Sequence, residues 1–181
     1  MWKPIIILAL IPLLGAWLAR HWFWTRIQLQ GRRLDCGTCV SDFRQRLGLP
    51  PGKRGTATDA ASLGNALREC GLALLDNEGD RPAKARLKGA QVARVMPTLL
   101  STIGIFAMVS QRVPSGWAIA GMLLAAAAYT LVRLSGLAIE WRAVARGTEA
   151  LRETRALKRA DDEEEVVRCA KASVWNTVGP F

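Results

Sequence analysis

Residues 95–132, VMPTLLSTIGIFAMVSQRVPSGWAIAGMLLAAAAYTLV, decide the fold. They hold two charge-free runs, 95–110 and 116–132, on either side of a five-residue connection, 111–115, whose only charge is Arg112. Neutral or aromatic flanks extend each run to about the 20 residues that cross a bilayer core. So short a connection forces the pair into an antiparallel helical hairpin. A third charge-free run, 4–19, stands near the N-terminus. A chain of 181 residues that is 50% apolar has enough apolar side chains for one soluble core. Their concentration into three blocks argues for spanning segments instead. With 16 Gly and 4 Cys, collagen and a disulfide scaffold are excluded, and the apolar content excludes simple disorder. The expected fold is an all-α integral membrane protein with three transmembrane helices. It comprises an N-terminal anchor (1–24), a basic cytoplasmic segment (25–92), a transmembrane hairpin (93–139) and a cytoplasmic helical tail (140–181).

The net charge of +10 follows the same blocks. Arg20, Arg26, Arg32 and Arg33 come after the first run with no acid before Asp35, and Arg81, Lys84, Arg86, Lys88 and Arg94 lead into the second. Basic clusters at membrane exits attract anionic headgroups by about 1 kcal/mol per residue. Only Lys3 precedes the first run, so the charge bias puts the N-terminus outside and the C-terminus in the cytoplasm of a bacterial-type inner membrane. The charge behind the first run, and bulky Trp17 near its end, favour an uncleaved anchor over a signal peptide. Pro12 within it is tolerable in a spanning helix. Nucleic acid is not an expected partner: Trp22, Phe23 and Trp24 sit where an interfacial aromatic belt belongs, and no nucleic-acid motif accompanies them. The expected partners are the bilayer with its anionic headgroups and a protein, either another chain or a second copy.

In the third run, Gly116 with Ala120 and Gly121 with Ala125 are small residues four apart, a spacing that lets helix backbones approach in lipid. In the soluble parts, Thr58 or Asp59 can cap a helix in which Ala60, Leu63, Leu67, Cys70 and Leu74 form one apolar stripe. One such helix cannot bury much surface alone, so this segment is expected to pack on the membrane surface or against the tail. The tail should continue out of the third span through Glu140, Val144 and Leu151. The acids Asp161 to Glu165 should then open a last helix, with Trp175 as an interfacial anchor.

The sharpest local chemistry is Cys36-Gly37-Thr38-Cys39, a CxxC suited either to two metal bonds or to a redox disulfide. A zinc site needs two more ligands, and only Cys70 and Cys169 offer thiols. The residues before Cys36 do not read as the buried strand of a thioredoxin-like motif. All four thiols fall on the reducing side of the expected topology. His21, the only histidine, lies between Arg20 and Trp22 with no partner carboxylate nearby in sequence. No phosphate loop, dinucleotide fingerprint or nucleophile elbow is present.

The order of parts resembles the bacterial membrane-bound neutral zinc metallopeptidases. In that family an anchor leads to a helix of the form Thr-Gly-x-x-x-Ala-x-x-x-Leu-x-x-x-Gly-Leu, then a HExxH zinc helix, a hydrophobic hairpin and a downstream glutamate. Thr58, Leu67, Gly71 and Leu72 match the first motif, with Asp59 and Leu63 in place of its Gly and Ala. Glu140-Trp141-Arg142 falls where the family has Glu-Phe-Asp, and 81–96 with Pro97 resembles the stretch after the zinc helix. The zinc helix is missing: the chain has no HExxH, and one histidine cannot supply its two imidazoles. The resemblance therefore implies a relative without the catalytic insert, in which Glu140 is an ion-pair partner for Arg133, Arg142 or a neighbouring base. The expected function is a non-enzymatic membrane scaffold or partner-binding subunit with no cofactor. The alternative is a metal-binding or thiol-redox module on Cys36 and Cys39, for which zinc would be the cofactor.

Overall fold

The computed structural model of the chain describes residues 2–50, 55–79, 95, 98–99, 101–110 and 114–177; among these every regular element is a helix. Arg81, Lys84, Arg86, Lys88 and Arg94, the turn residues 111–113 and the 81–97 stretch of the family resemblance lie outside the described residues, apart from Val95. The first helix comprises α1 (Trp2–Ala19), one stretch of π-helix (Arg20–Thr25) and α2 (Arg26–Gly31). It therefore runs on past residue 24. The rest are α3 (Val40–Arg46), α4 (Ala60–Asn77), α5 (101–109), α6 (Ser115–Ser135), α7 (Leu137–Thr154) and α8 (Ala160–Trp175).

Among the described residues two helices are long and apolar enough to cross a membrane, Trp2–Gly31 and Ser115–Thr154. They coincide with the first and third expected spans. Of the second, residues 95, 98–99 and 101–109 are described, and all are helical. Only 11% of the most apolar stretch of each long helix is buried, whereas the core helix of a soluble protein is mostly covered. Ile7, Leu8, Ile11, Leu14, Leu124, Leu131 and Val132 all face outward. An apolar band of that extent is far beyond what a soluble monomer leaves open.

Where α1 meets α6, small residues make the contact. Ala9 and Ala16 are buried on α1 and Ala120 and Ala127 on α6, in both cases seven residues apart. A Cβ at Gly116 would lie 2.8 Å from the Trp2 ring, so the two helices begin together and run parallel. On another face of α6, Met122 fills the space a Gly104 side chain would need, which seats α5 there. Of the two small-residue pairs, Gly116 and Ala120 lie in a contact; Gly121 has nothing within 4 Å of where a Cβ would be.

Below the apolar band lies a compact helical body with α4 at its centre. The Asp59 carboxylate accepts a hydrogen bond from the Ser62 N–H at 2.9 Å, capping α4 as its sequence suggests. Ala60, Leu63, Leu67 and Cys70 are buried, but the stripe continues through Leu75, not Leu74. Ala61, Gly64 and Gly71 are buried as well, so α4 is covered on two sides. The reason is that α7 and α8 both pack on it. Gly64 abuts the Cys169–Ala170 backbone, and a Cβ at Gly71 would collide with the Ala143 carbonyl. Phe43 from α3, Val144 and Leu151 from α7, and Val166, Cys169 and Val174 from α8 complete the core. The segment thus packs against the tail.

The tail helix α7 follows α6 with only Gly136 between them. In α8 the acids occupy the first turn rather than preceding it: Asp161, Asp162 and Glu163 sit at its positive end. Trp175 stacks on Phe23 of the π-helical stretch, ring centroids 5.4 Å apart, which fastens the end of α8 to the base of the first helix.

Candidate functional site

The residues that carry the family resemblance meet at the seam between α4 and α7. Leu67 lies opposite Gly147, and Gly71 opposite Ala143, so the helices run antiparallel in close contact. A Cβ at Gly147 would stand 2.7 Å from the Leu67 carbonyl oxygen. Only glycine permits that approach from either side. One turn before Ala143, Glu140 is 2% exposed, and the Arg68 guanidinium reaches its carboxylate at 3.4 Å. The Arg68 side chain is itself 18% exposed. A second link lies further along, where Arg146 holds Glu78 at 2.8 Å and Glu149 at 2.7 Å.

Glu140 is therefore an ion-pair partner, as expected for Arg133, Arg142 or a neighbouring base, and the base that bridges it to α4 is Arg68. Residues 68 and 140 are brought together only by tertiary packing. One signal for it was present: Gly64 and Gly71, seven apart in an otherwise apolar helix, mark faces on which another backbone comes close. Buried pairs of this kind contribute little net stability, yet losing one partner is costly.

The CxxC lies at the other end of the body. Asp35 accepts a hydrogen bond from the Gly37 N–H at 2.9 Å, Gly37 takes a left-handed φ of 61°, and the Cys36 N–H donates to the Thr58 carbonyl at 3.0 Å. That turn places Cys36 in the core and leaves Cys39 half-buried at the start of α3. Cys70 and Cys169 share the core with Cys36. Burial raises each of these three thiols to about 11, which favours the protonated form over the thiolate that binds metal or attacks a disulfide. Asp35 is held below the usual carboxylate range by the Gly37 N–H and the Thr58 hydroxyl.

At the base of the first helix, His21 stacks on Trp17 with centroids 5.5 Å apart. The Arg26 guanidinium lies 4.0 Å over the Trp22 ring and Arg20 5.5 Å over Trp24. Arg32 and Arg33 are exposed just beyond.

These donors do not fit the zinc that a metallopeptidase needs. The single imidazole is stacked on the first helix, the Glu140 carboxylate faces a guanidinium, and three of four thiols are buried in the apolar core of the body. Among the described residues no three His, Cys, Asp or Glu side chains are grouped to hold a metal ion. No curated protein and no solved structure matches the chain. Residues 53–175, however, match the protein family described as "putative neutral zinc metallopeptidase", a stretch that contains α4, α6, α7 and α8 but not His21. That match covers more than half of the chain, which therefore belongs to this family.

Proposed function

We propose that the chain is a non-hydrolytic member of its family, an integral membrane scaffold whose cytoplasmic helical body binds a protein partner or a second copy. The observation that carries this reading is the Arg68–Glu140 pair: the family's downstream glutamate is taken up by a guanidinium, and no HExxH stands elsewhere in the chain. The same scaffold sits in a bacterial-type inner membrane with its N-terminus outside. Parallel packing of α1 and α6 supports the reading that both helices start on the same side.

The purified full chain is expected not to hydrolyse unstructured peptides, with or without added zinc. Hydrolysis abolished by a chelator would overturn the proposal. Elemental analysis of the same preparation addresses the alternative: stoichiometric metal that disappears in Cys36→Ser/Cys39→Ser would favour a metal module. For the orientation, an impermeant thiol reagent on intact cells should leave Cys39, the thiol outside the core, unlabelled.

A further inference from the structure

The first helix has two unlike sides below α1. One side is fastened to the body: Gln28 and Gly31 are buried, Phe23 stacks on Trp175, and a Cβ at Gly31 would strike Cys169. The other side carries Trp22, Arg26, Leu29 and Arg33 at steps of four, three and four, all exposed, with Leu29 56% open. Trp22, Arg26 and Leu29 share one helical face, and Arg33 follows in the turn just after Gly31. The π-helical stretch immediately above sets the phase at which both sides are met.

The charges of that open side also differ from many of those in the body. In the body, Arg44 pairs with Glu69, Arg68 with Glu140, Arg146 with Glu78 and Glu149, Arg152 with Glu163 and Arg168 with Glu165. Arg26, Arg32 and Arg33 have no carboxylate partner among the described residues. Arg26 instead lies 4.0 Å over the Trp22 ring and is exposed, so its guanidinium can still donate to an external anion.

Length supplies the position. Thirty residues make a helix about 45 Å long, and a bilayer's hydrocarbon is about 30 Å thick. With Trp2 at one border, the last ten residues or so, from Trp22 to Gly31, occupy headgroup depth. We infer that Trp22, Arg26, Leu29, Arg32 and Arg33 form a binding face for anionic phospholipid, with phosphate on the guanidinium edges and acyl chain along Leu29 and the apolar band above. This rests on the first helix spanning the bilayer and is independent of whether the protein hydrolyses peptides.

The test uses the full chain in neutral detergent, with retained lipid counted by native mass spectrometry after addition of phosphatidylglycerol or phosphatidylcholine. The wild type should retain phosphatidylglycerol preferentially. Arg26→Gln/Arg32→Gln/Arg33→Gln should bind it roughly a hundredfold more weakly, and Trp22→Leu should fall between. Arg155→Gln/Lys158→Gln/Arg159→Gln is the control, since it removes the same charge from the connection between α7 and α8 and should bind as the wild type does. Equal retention of the two lipids would overturn the inference. So would equal losses in the triple and control variants, which would mean net charge alone, or displacement by millimolar inorganic phosphate, which would mean a phosphate site rather than a lipid one.

Discussion

The apolar pair α1 and α6 and the body around α4 are both built of helices, but by opposite rules. In the first, alanines and glycines make the contact while Ile7, Leu8, Leu131 and Val132 point outward. In the second, Phe43, Leu63, Leu67 and Leu151 are fully buried and the arginines form the surface network. Water drives large apolar groups inward, at about 25 cal/mol per Å² buried; for helices proposed to lie in lipid there is no such gain, and close backbone approach decides instead. Small residues therefore mean different things in the two regions. On α6 they are the ordinary currency of contact. On α4, Gly64 and Gly71 are the exceptions that admit a neighbouring backbone into a packed core.

The largest effect should come from the seam. Arg68→Ala leaves the Glu140 carboxylate buried without its guanidinium and should cost about 3–5 kcal/mol, whereas Arg68→Met with Glu140→Leu should recover most of that. Unfolding followed by a thiol-reactive dye measures both, because Cys36, Cys70 and Cys169 are hidden until the body opens. If the double variant is no more stable than the single one, the cost does not come from a buried carboxylate deprived of this base.

Next, Gly71→Ala, which drives a Cβ into the Ala143 carbonyl, should destabilise the body by about 3 kcal/mol. Gly121→Ala meets open space in the apolar region and should be neutral, or stabilising by up to about 1 kcal/mol. Equal effects would erase the distinction between the two regions.

A further effect, confined to the body, depends on pH. Folding favours the protonated thiols of Cys36, Cys70 and Cys169, so their contribution is complete below the ordinary thiol value of 9.0 and is lost as pH rises towards about 11. The melting midpoint should fall over that window, and Cys70→Ala/Cys169→Ala should fall less. An identical slope in both proteins would rule the thiols out. Smallest of all, Arg155 ends α7 at a φ of 45°, and Arg155→Gly should stabilise by about 0.5–1 kcal/mol in the same assay. A loss would show that the arginine side chain matters more there than the backbone.

Much of this fold is written in local pattern. Charge-free length announces the first and third blocks, and the capped stripe from Asp59 to Cys70 announces α4. What sequence leaves out depends on neighbours. Leu75 replaces Leu74 in the buried set because α7 covers a second side of α4, and no periodicity on α4 alone can foresee that. The π-helical turn at Arg20–Thr25 answers to two constraints at once, the apolar band above and α8 below. Glu140 was legible as an ion-pair residue, but its link to Arg68 across 72 positions was not. The CxxC shows the converse: its spacing suggests chemistry, and its burial explains why Cys36 is a poor thiolate.

The near-unbroken passage from α6 into α7 has a mechanical consequence. Forty residues at 1.5 Å each make a rod about 60 Å long, interrupted only at Gly136. Its upper half is gripped by α1, its lower half by α4 through Gly71, Gly147 and the Arg68–Glu140 pair. A tilt imposed on the upper half must reappear below as a displacement of α4, and with it of α8 and Trp175. The rod makes the body a pointer whose angle reports how the apolar helices lie.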